Sequence, residues 1–385
     1  MNEKSTRVYM TGKGNKGFIK FISDFRRSAA LAALCVLLVV SAAGCGTADS
    51  TSGGSAGADA GKAVQGDTTE HSTTVFAMDT VMNITTYGGS DELLNKVQSR
   101  IEQLESMFST TDENSEIYAV NRDGSAKVSS DTETLTKFAL DICGKTNGAL
   151  DISIYPVVRE WGFTTGDFKV PDDSVIKDLL THVDYRKVKL DENEDTITLD
   201  KDMKIDLGSV AKGYTGDRII DMLKEAGVQS ALLDLGGNIQ TLGSKTDGSD
   251  WRVAVQDPKD PSSGDYLGVV AISDKAVITS GGYERYFQGP DGKTYWHIID
   301  PSTGHPAENG LISVTIIGDK GVYCDSLSTS LFIMGKEKAA EFWKQYQDFD
   351  MVLVSDDGEV DITEGIADRF ELSNTKDYHL NVISR

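Results

Sequence analysis

A chain of 385 residues, 39% of them hydrophobic, is long enough to bury one large core or two smaller ones. Its formal charge of −22 is unevenly spread. Residues 1–27 hold seven Lys or Arg against two acids, a net +5, residues 28–45 are uncharged, and residues 46–385 therefore carry −27, which excludes a broad grip on nucleic acid or anionic lipid. Four cysteines exclude a disulfide scaffold; Cys35 and Cys45 belong to an N-terminal apolar stretch, and the sequence leaves open whether Cys143 and Cys324 pair.

Arg26-Arg27 followed by the uncharged run from Ser28 to Gly44 has the form of a basic n-region and an apolar h-region, too short for a comfortable membrane span. Ala42-Ala43-Gly44 directly before Cys45 has the form of a bacterial lipobox, with Cys45 as the lipidated new N-terminus; a signal-anchor helix is the alternative, and Met10 is a second possible start. Residues 46–74, rich in Gly, Ser, Thr, Ala and Asp, hold almost nothing to bury and read as a flexible tether. The expected organisation is a leader over 1–45, a tether over 46–74 and one domain over 75–385, held by lipid at the extracytoplasmic face of a bacterial cell membrane.

Ordered pattern begins at Val75, with strand character from Phe76 to Tyr87 closed by Gly88-Gly89. Leu94, Val97, Ile101, Leu104 and Met107 recur at helical spacing over Asp91 to Met107. Residues 108–117 read as polar loop, Thr132 to Thr146 as a helix ended by Asn147-Gly148, and Ala149 to Pro156 as a short strand that the proline terminates. The interval Gly162 to Asp195 is polar and poorly patterned, and is expected to be a surface insertion. Thr196 to Leu207 alternates as a half-buried strand does, Gly208 makes a turn, and Val210, Tyr214, Ile219 and Leu223 predict a helix up to Gly227 with Ser209 as its N-cap. Further strands are expected at Ser230–Leu235, Trp251–Gln256, Tyr266–Ile272 and Leu311–Ile317; Ala276–Phe287 is a β-like run broken by a glycine pair, and Tyr295–Pro306 a strand ending in a turn rich in Pro and Gly. Helices follow at Tyr323–Met334 and Lys336–Tyr346, then a hairpin around Asp356-Asp357-Gly358. Strands and helices interspersed without a regular βαβ count predict an α+β fold.

Several of these elements carry groups suited to chemistry. A helix beginning near Ser209 exposes backbone N–H groups and a partial positive charge that suit a phosphate, and Lys212 adds a full charge in the first turn. Asp206 stands just before the turn, where it can accept hydrogen bonds or organise a cation. Asp325 and Thr329, four apart in a helix, share a face and offer hard oxygens to Mg²⁺, although Asp325 equally suits an N-cap. His297, beside Trp296, suits either a core position or a base, and Asp300, before Pro301, either a turn-maker or an acid. Nothing has zinc-ligand spacing, and no Gly-x-Ser-x-Gly elbow is present in the patterned part of the chain, residues 75–385.

Taken together, Ile205–Arg218, Leu233-Asp-Leu-Gly-Gly-Asn238, Ile278–Tyr286, His297–Pro306 and Asp325-Ser-Leu-Ser-Thr329, with weaker echoes at Met78-Asp-Thr, Phe108–Ile117 and Ala149-Leu-Asp151, resemble the ApbE family of FAD:protein FMN transferases. The resemblance runs from about Phe76 to Gly335. It implies one large domain and Mg²⁺-dependent cleavage of FAD, with FMN passed to a threonine hydroxyl of an exported or membrane flavoprotein and AMP released. It further implies metal ligands at Ser209 (backbone carbonyl), Asp325 and Thr329. FAD contacts are implied at Met78, Ala149, Leu150, Asp151, Asp206, Lys212 and His297. Thr111 stands where many relatives place an aromatic that stacks on the flavin. His297 is the first candidate for the base that activates the acceptor hydroxyl and Asp300 the second. The alternatives are an FAD pyrophosphatase with water as acceptor and a non-catalytic flavin-binding lipoprotein.

Overall fold

The computed structural model describes residues 66–385. The expectations for Arg26-Arg27, Cys45 and residues 46–65 of the tether lie outside these residues. Strand β1 (Glu70–Ala77) begins inside the stretch read as tether, so ordered structure starts earlier than Val75. It pairs with β2 (Thr80–Tyr87) through a two-residue turn at Met78-Asp79.

One sheet of nine strands organises the domain. Its spatial order follows the chain: β1, β2, β3 (Ser230–Asp234), β4 (Asn238–Leu242), β5 (Ala276–Gly281), β6 (Leu311–Gly318), β7 (Phe349–Ser355), β8 (Glu359–Thr363) and β9 (His379–Ile383). Neighbours are antiparallel except β8 and β9. Side-chain alternation sends Ile278, Ile316, Met351 and Leu353 to one face and Val277, Ile317, Val352 and Val354 to the other. The first face is covered by helices: α1 (Asp91–Phe108) and α6 (Gly208–Glu225) over β1–β4, and α7 (Gly321–Met334) and α8 (Lys336–Gln345) over β5–β7. The second face packs, from β5 to β8, against a three-stranded sheet of Trp251–Gln256, Tyr266–Ile272 and Phe370–Leu372. Helices α2 (Glu116–Asp123) and α3 (Ser130–Lys145) join α1 and α6 around a further apolar cluster. The α+β expectation holds. Among the described residues no helix is long and apolar enough to cross a membrane.

Four local expectations are corrected. Residues 196–207 form a strand only over Thr196–Thr198. Beyond that, Met203, Ile205 and Leu207 are buried, but Ile205 is clamped by a side chain. Its N–H donates to Asn121 Oδ1 (2.7 Å) and its carbonyl accepts from Asn121 Nδ2 (2.8 Å). Alternation here records burial without a ladder. Ser209 is not the N-cap: helix α6 starts at Gly208, whose N–H is taken by Asp206 Oδ1 at 2.7 Å, so the aspartate does the capping. Ala149–Pro156 is a turn, a 3₁₀ segment (Ile152–Ile154) and the start of α4 (Tyr155–Glu160), where Pro156 sits in the first helical turn and sacrifices no hydrogen bond. The loop read over residues 108–117 ends early, because Ser115 caps α2.

The interval 162–195 is not merely a surface insertion. It contains α5 (Asp173–Leu179), and Phe163 and Ile176 are buried with Trp161, Phe287 and Tyr295. Phe168 stacks on Phe287 at 5.3 Å. Cys143 and Cys324 are both buried and unpaired, and burial pushes the Cys143 thiol up to about 12.

Candidate active site

Three strand ends lie side by side at one end of the large sheet. The Met78-Asp79 turn joins β1 to β2, Gly236-Gly237 joins β3 to β4, and β5 runs out through Ser280 into Gly282–Arg285. A Cβ on Gly236 would stand 2.0 Å from Thr80 Oγ1, so only glycine lets the second turn approach the first so closely. Met78 and Asp79 both hold left-handed backbone (φ 49° and 60°), a strained choice for non-glycine residues that is fixed by the Met78 N–H donating to Glu105 Oε1 at 2.6 Å. Asp79 then reaches across to Arg285, with 3.7 Å between Oδ2 and a guanidinium nitrogen.

Helices α6 and α7 form the opposite wall, and they touch through glycines. A Cβ on Gly213 would meet the Gly321 carbonyl oxygen at 2.3 Å and Asp325 Cβ at 2.7 Å. That contact lets the Gly213 N–H donate to Asp325 Oδ2 at 2.8 Å. Gln240 Nε2 donates to the Gly213 carbonyl at 3.0 Å, tying β4 to the same point. Asp217, one turn further along α6, accepts the Gly321 (2.8 Å) and Val322 (3.0 Å) N–H groups and so caps α7 from outside. Asp325 therefore lies inside α7, four residues past its first, and is no N-cap.

The residues singled out in the sequence mostly converge here. Asp206 and Lys212 flank the α6 N-terminus, where the Ser209 N–H has no partner among the described residues. Asp325 is buried; burial raises its carboxyl to about 6, with Asp217 pushing the same way and the Lys212 charge and the Gly213 N–H opposing. Thr329 lies one turn on, 3.3 Å from Ser280 Oγ. His297 hangs from Arg285: its backbone N–H and Nδ1 approach the Arg285 carbonyl at 3.1 and 3.3 Å. A carbonyl only accepts, so Nδ1 carries the hydrogen and Nε2 keeps its lone pair. Burial, then the Arg285 and Lys212 charges, lower its imidazole to about 4, so it is neutral at pH 7.

Sequence reasoning gave no role to Glu284 or Arg285, although both stand in the Ile278–Tyr286 stretch. Surrounding protein, with Asp325 nearby, raises the Glu284 carboxyl to about 7 against the opposing charges of Lys212 and Arg285. Glu284 is nevertheless exposed, and Asp206 and His297 half-buried. Groups enclosed by protein yet reachable by solvent mark the wall of an open cleft.

Other expected contacts are used differently. Leu150 is buried in the core, and the Asp151 carboxylate accepts from Ser153 N (2.8 Å), Ser153 Oγ (2.6 Å) and Tyr185 N (3.1 Å). The segment is tied to Asp206, whose N–H donates to the Ile152 carbonyl at 2.8 Å. Asp300 is a turn-former: Oδ1 accepts from Ser302 N (2.8 Å) and Oγ (2.7 Å), and its carbonyl accepts from Gly304 N (2.8 Å).

No group of three or more His, Cys, Asp and Glu able to hold a metal occurs among the described residues. The donors available are of another kind. Asp325 Oδ1 has no hydrogen bond among the described residues, and Oδ2 approaches the Gly213 N–H, whose helical acceptor is the Ser209 carbonyl. The Asp325 carboxylate, the Ser209 carbonyl and, one helical turn from Asp325, the Thr329 hydroxyl are a sparse set of hard oxygens. Such a set fits Mg²⁺, which keeps waters and takes phosphate oxygens rather than a full protein cage.

Over the described residues, fold and cleft together define one α+β domain with a helix N-terminus, a lysine and an arginine turned toward one open site, an arrangement suited to a phosphorylated ligand. The ApbE family model matches residues 78–353. A Treponema pallidum FAD:protein FMN transferase is 33% identical over 300 residues, 74% of this chain and 82% of that protein. One from Klebsiella pneumoniae is 32% identical over 70% of this chain and 84% of its own length. The crystal structure of the ApbE protein of Thermotoga maritima superposes with a TM-score of 0.69 at 30% identity, covering 80% of this chain and 98% of that one. The flavin transferase ApbE of Vibrio cholerae gives 0.67 at 26%, with the same coverages. The chain belongs to the ApbE family.

Proposed function

We propose that this protein transfers FMN from FAD to a threonine hydroxyl of a target flavoprotein and releases AMP. The observation that carries the reading is the junction at Gly213, which brings Asp325 of α7 against the head of α6, with Lys212, Arg285 and a neutral His297 around it. The α6 N-terminus and Lys212 bind and orient the FAD diphosphate, and Arg285 offers a planar fork to its oxygens. The acceptor oxygen attacks the phosphorus on the FMN side. The bond from that phosphorus to the bridging oxygen breaks, and AMP leaves with the bridging oxygen. His297 Nε2 takes the proton of the acceptor hydroxyl. Magnesium held by the Ser209 carbonyl, Asp325 and Thr329 would neutralise charge that builds on the leaving phosphate. Asp300 has no part in this scheme; Glu284, near neutrality, is the second group able to hold or release a proton beside the diphosphate.

The lipobox-like run before Cys45 supports anchoring at the outer face of a bacterial membrane, where exported flavoproteins are within reach; loss of membrane association in Cys45→Ser checks it. Function is tested by incubating purified protein with FAD, Mg²⁺ and a threonine-bearing acceptor, then weighing the acceptor by mass spectrometry and measuring AMP. An adduct of FMN mass supports transfer. Free FMN with AMP and no adduct makes water the acceptor, and neither product removes the reading altogether.

A further inference from the structure

Two of the most exposed large apolar side chains in the described residues face each other across the β1–β2 ribbon, next to the turn that reaches Arg285. Phe76 is 71% exposed and Val81 51%, and they are direct cross-strand partners in the β1–β2 ribbon. Their neighbours Val75, Ala77 and Met82 point the other way, into the core beneath α1. Further from the cleft on the same outer face the pairs turn polar: Thr74 bonds Asn83 (2.9 Å), and Ser72 lies opposite Thr85. The apolar pair is thus confined to the end of the ribbon that carries the Met78-Asp79 turn. Strand rise puts it about 7 Å from that turn, and the turn is pinned to Arg285 of the site. Among the described residues, β2 is the one strand that pairs with β1, at the edge of the large sheet. A third exposed apolar residue, Tyr286, follows Arg285 directly.

Resting on the transferase reading, we propose that the cleft end of the β1–β2 ribbon, with Phe76 and Val81 at its centre, docks the acceptor protein, and that it selects an extended segment with apolar residues flanking the acceptor threonine. The reaction itself supplies the argument for this occupant. A protein hydroxyl must come within bonding distance of the diphosphate, so the backbone carrying it passes over the cleft rim. The rim offers a strand edge with no further strand on it among the described residues, for main-chain bonds, and an apolar pair for side chains, the two components of recognition by strand addition. FAD needs neither, since its diphosphate is met by α6, Lys212 and Arg285. Phe76 and Val81 therefore govern which protein is labelled while leaving the flavin chemistry alone.

The test uses the double variant Phe76→Thr/Val81→Thr, which keeps β propensity at two exposed positions. The probes are two carrier proteins with a threonine in the same exposed loop, one flanked by apolar residues and one by serines. Wild-type protein should flavinylate the apolar-flanked carrier with kcat/KM about tenfold or more above the serine-flanked one, as expected for a small buried hot spot. The variant should lose that preference through KM, while its FAD affinity and its release of AMP from FAD with water as acceptor stay unchanged. Equal labelling of both carriers by the wild type, or a preference that survives in the variant, overturns the docking proposal and leaves the transferase standing. A change in sedimentation on substitution makes a second copy the occupant, and a preference that emerges only after removal of residues 46–65 makes it the chain's own tether; either overturns the proposal. AMP release without labelling of any carrier overturns the transferase reading, and docking falls with it.

Discussion

Gly213 is where fold and site meet, and replacing it with alanine tests both. The new Cβ would stand 2.3 Å from the Gly321 carbonyl oxygen, 2.6 Å from its carbon and 2.7 Å from Asp325 Cβ. Two of these are backbone atoms of α7, so no side-chain rotation relieves the clash; the helices must part. Overpacking of this kind costs about 1–3 kcal/mol. Parting also stretches the Gly213 N–H bond to the Asp325 carboxylate, a charged bond worth about 1.5–3 kcal/mol when intact. Partial loss of that bond brings the expected destabilisation to about 2–4 kcal/mol. Urea unfolding followed by circular dichroism measures the stability, and AMP release from FAD measures the site. Activity should fall well beyond what the unfolded fraction explains, because Asp325 moves with α7. Gly144→Ala is the control: it lies exposed near the end of α3 with nothing within 4 Å of the added carbon, and should stabilise by up to about 1 kcal/mol with unchanged activity. If Gly213→Ala unfolded at the wild-type midpoint with full AMP release, the proposed helix contact would be wrong.

Asp325→Asn should leave the fold intact, since the amide oxygen can still accept from Gly213, while AMP release in magnesium falls by about 10²-fold or more; normal turnover would place the cation elsewhere. His297 titrates at about 4 folded against 6.5 in an unfolded chain, so its contribution to stability is complete above pH 6.5 and is lost as pH falls toward 4. His297→Gln should therefore lose less stability than wild type between pH 7 and pH 5 by thermal melting, and equal losses would contradict the lowered imidazole of the folded protein. Cys143 and Cys324, buried with raised thiols, should resist a disulfide-exchange reagent until the protein unfolds; rapid reaction of either in the native protein would refute that packing.

What could be read from the sequence was whatever the chain states locally. Helix α1, helices α7 and α8 and the β7–β8 hairpin follow apolar spacing and turn residues, and the structure has them within a few residues of expectation. Residues 196–207 misled because burial alone produces alternation, and the partner that replaces a strand is a single amide, Asn121, 84 positions away. Phe163 and Phe168 looked isolated because the aromatic rings they pack on, Phe287 and Tyr295, lie more than a hundred residues further along. At the site, Asp206, Lys212, His297 and Asp325 were legible as chemistry-bearing types next to glycine turns or on one helix face. Glu284 and Arg285 were not, because their importance comes from what surrounds them. A carboxyl near pH 7 is a property of Asp325 and Lys212 arriving from other elements. Asp217 was hidden for the same reason: its task is to cap a helix that begins 104 residues later.

The charge of the cleft leads to a last prediction. Asp206, Glu284 and Asp325 face Lys212 and Arg285, so with all three acids ionised the site is negative before any ligand enters. The domain around it is strongly acidic and offers no general attraction to an anion. A dinucleotide diphosphate brings further negative charge to the same place, and the raised Glu284 and Asp325 carboxyls show that the site already resists holding all of its own. A divalent cation relieves both, so cation and FAD should bind with positive coupling, each tightening the other by the same factor. Coupling free energies are typically about 1–3 kcal/mol, or roughly 5–150-fold in affinity. Calorimetric titration of FAD into protein with magnesium, and then with a chelator present, measures the factor directly. The reverse titration of magnesium with and without FAD must return the same value. Lys212→Ala should lower FAD affinity in both titrations yet leave the coupling in place, because the lysine attracts the diphosphate whether or not the cation is there. Equal FAD affinity with and without magnesium would mean that the cleft tolerates the diphosphate unaided, and the argument from its charge would be refuted.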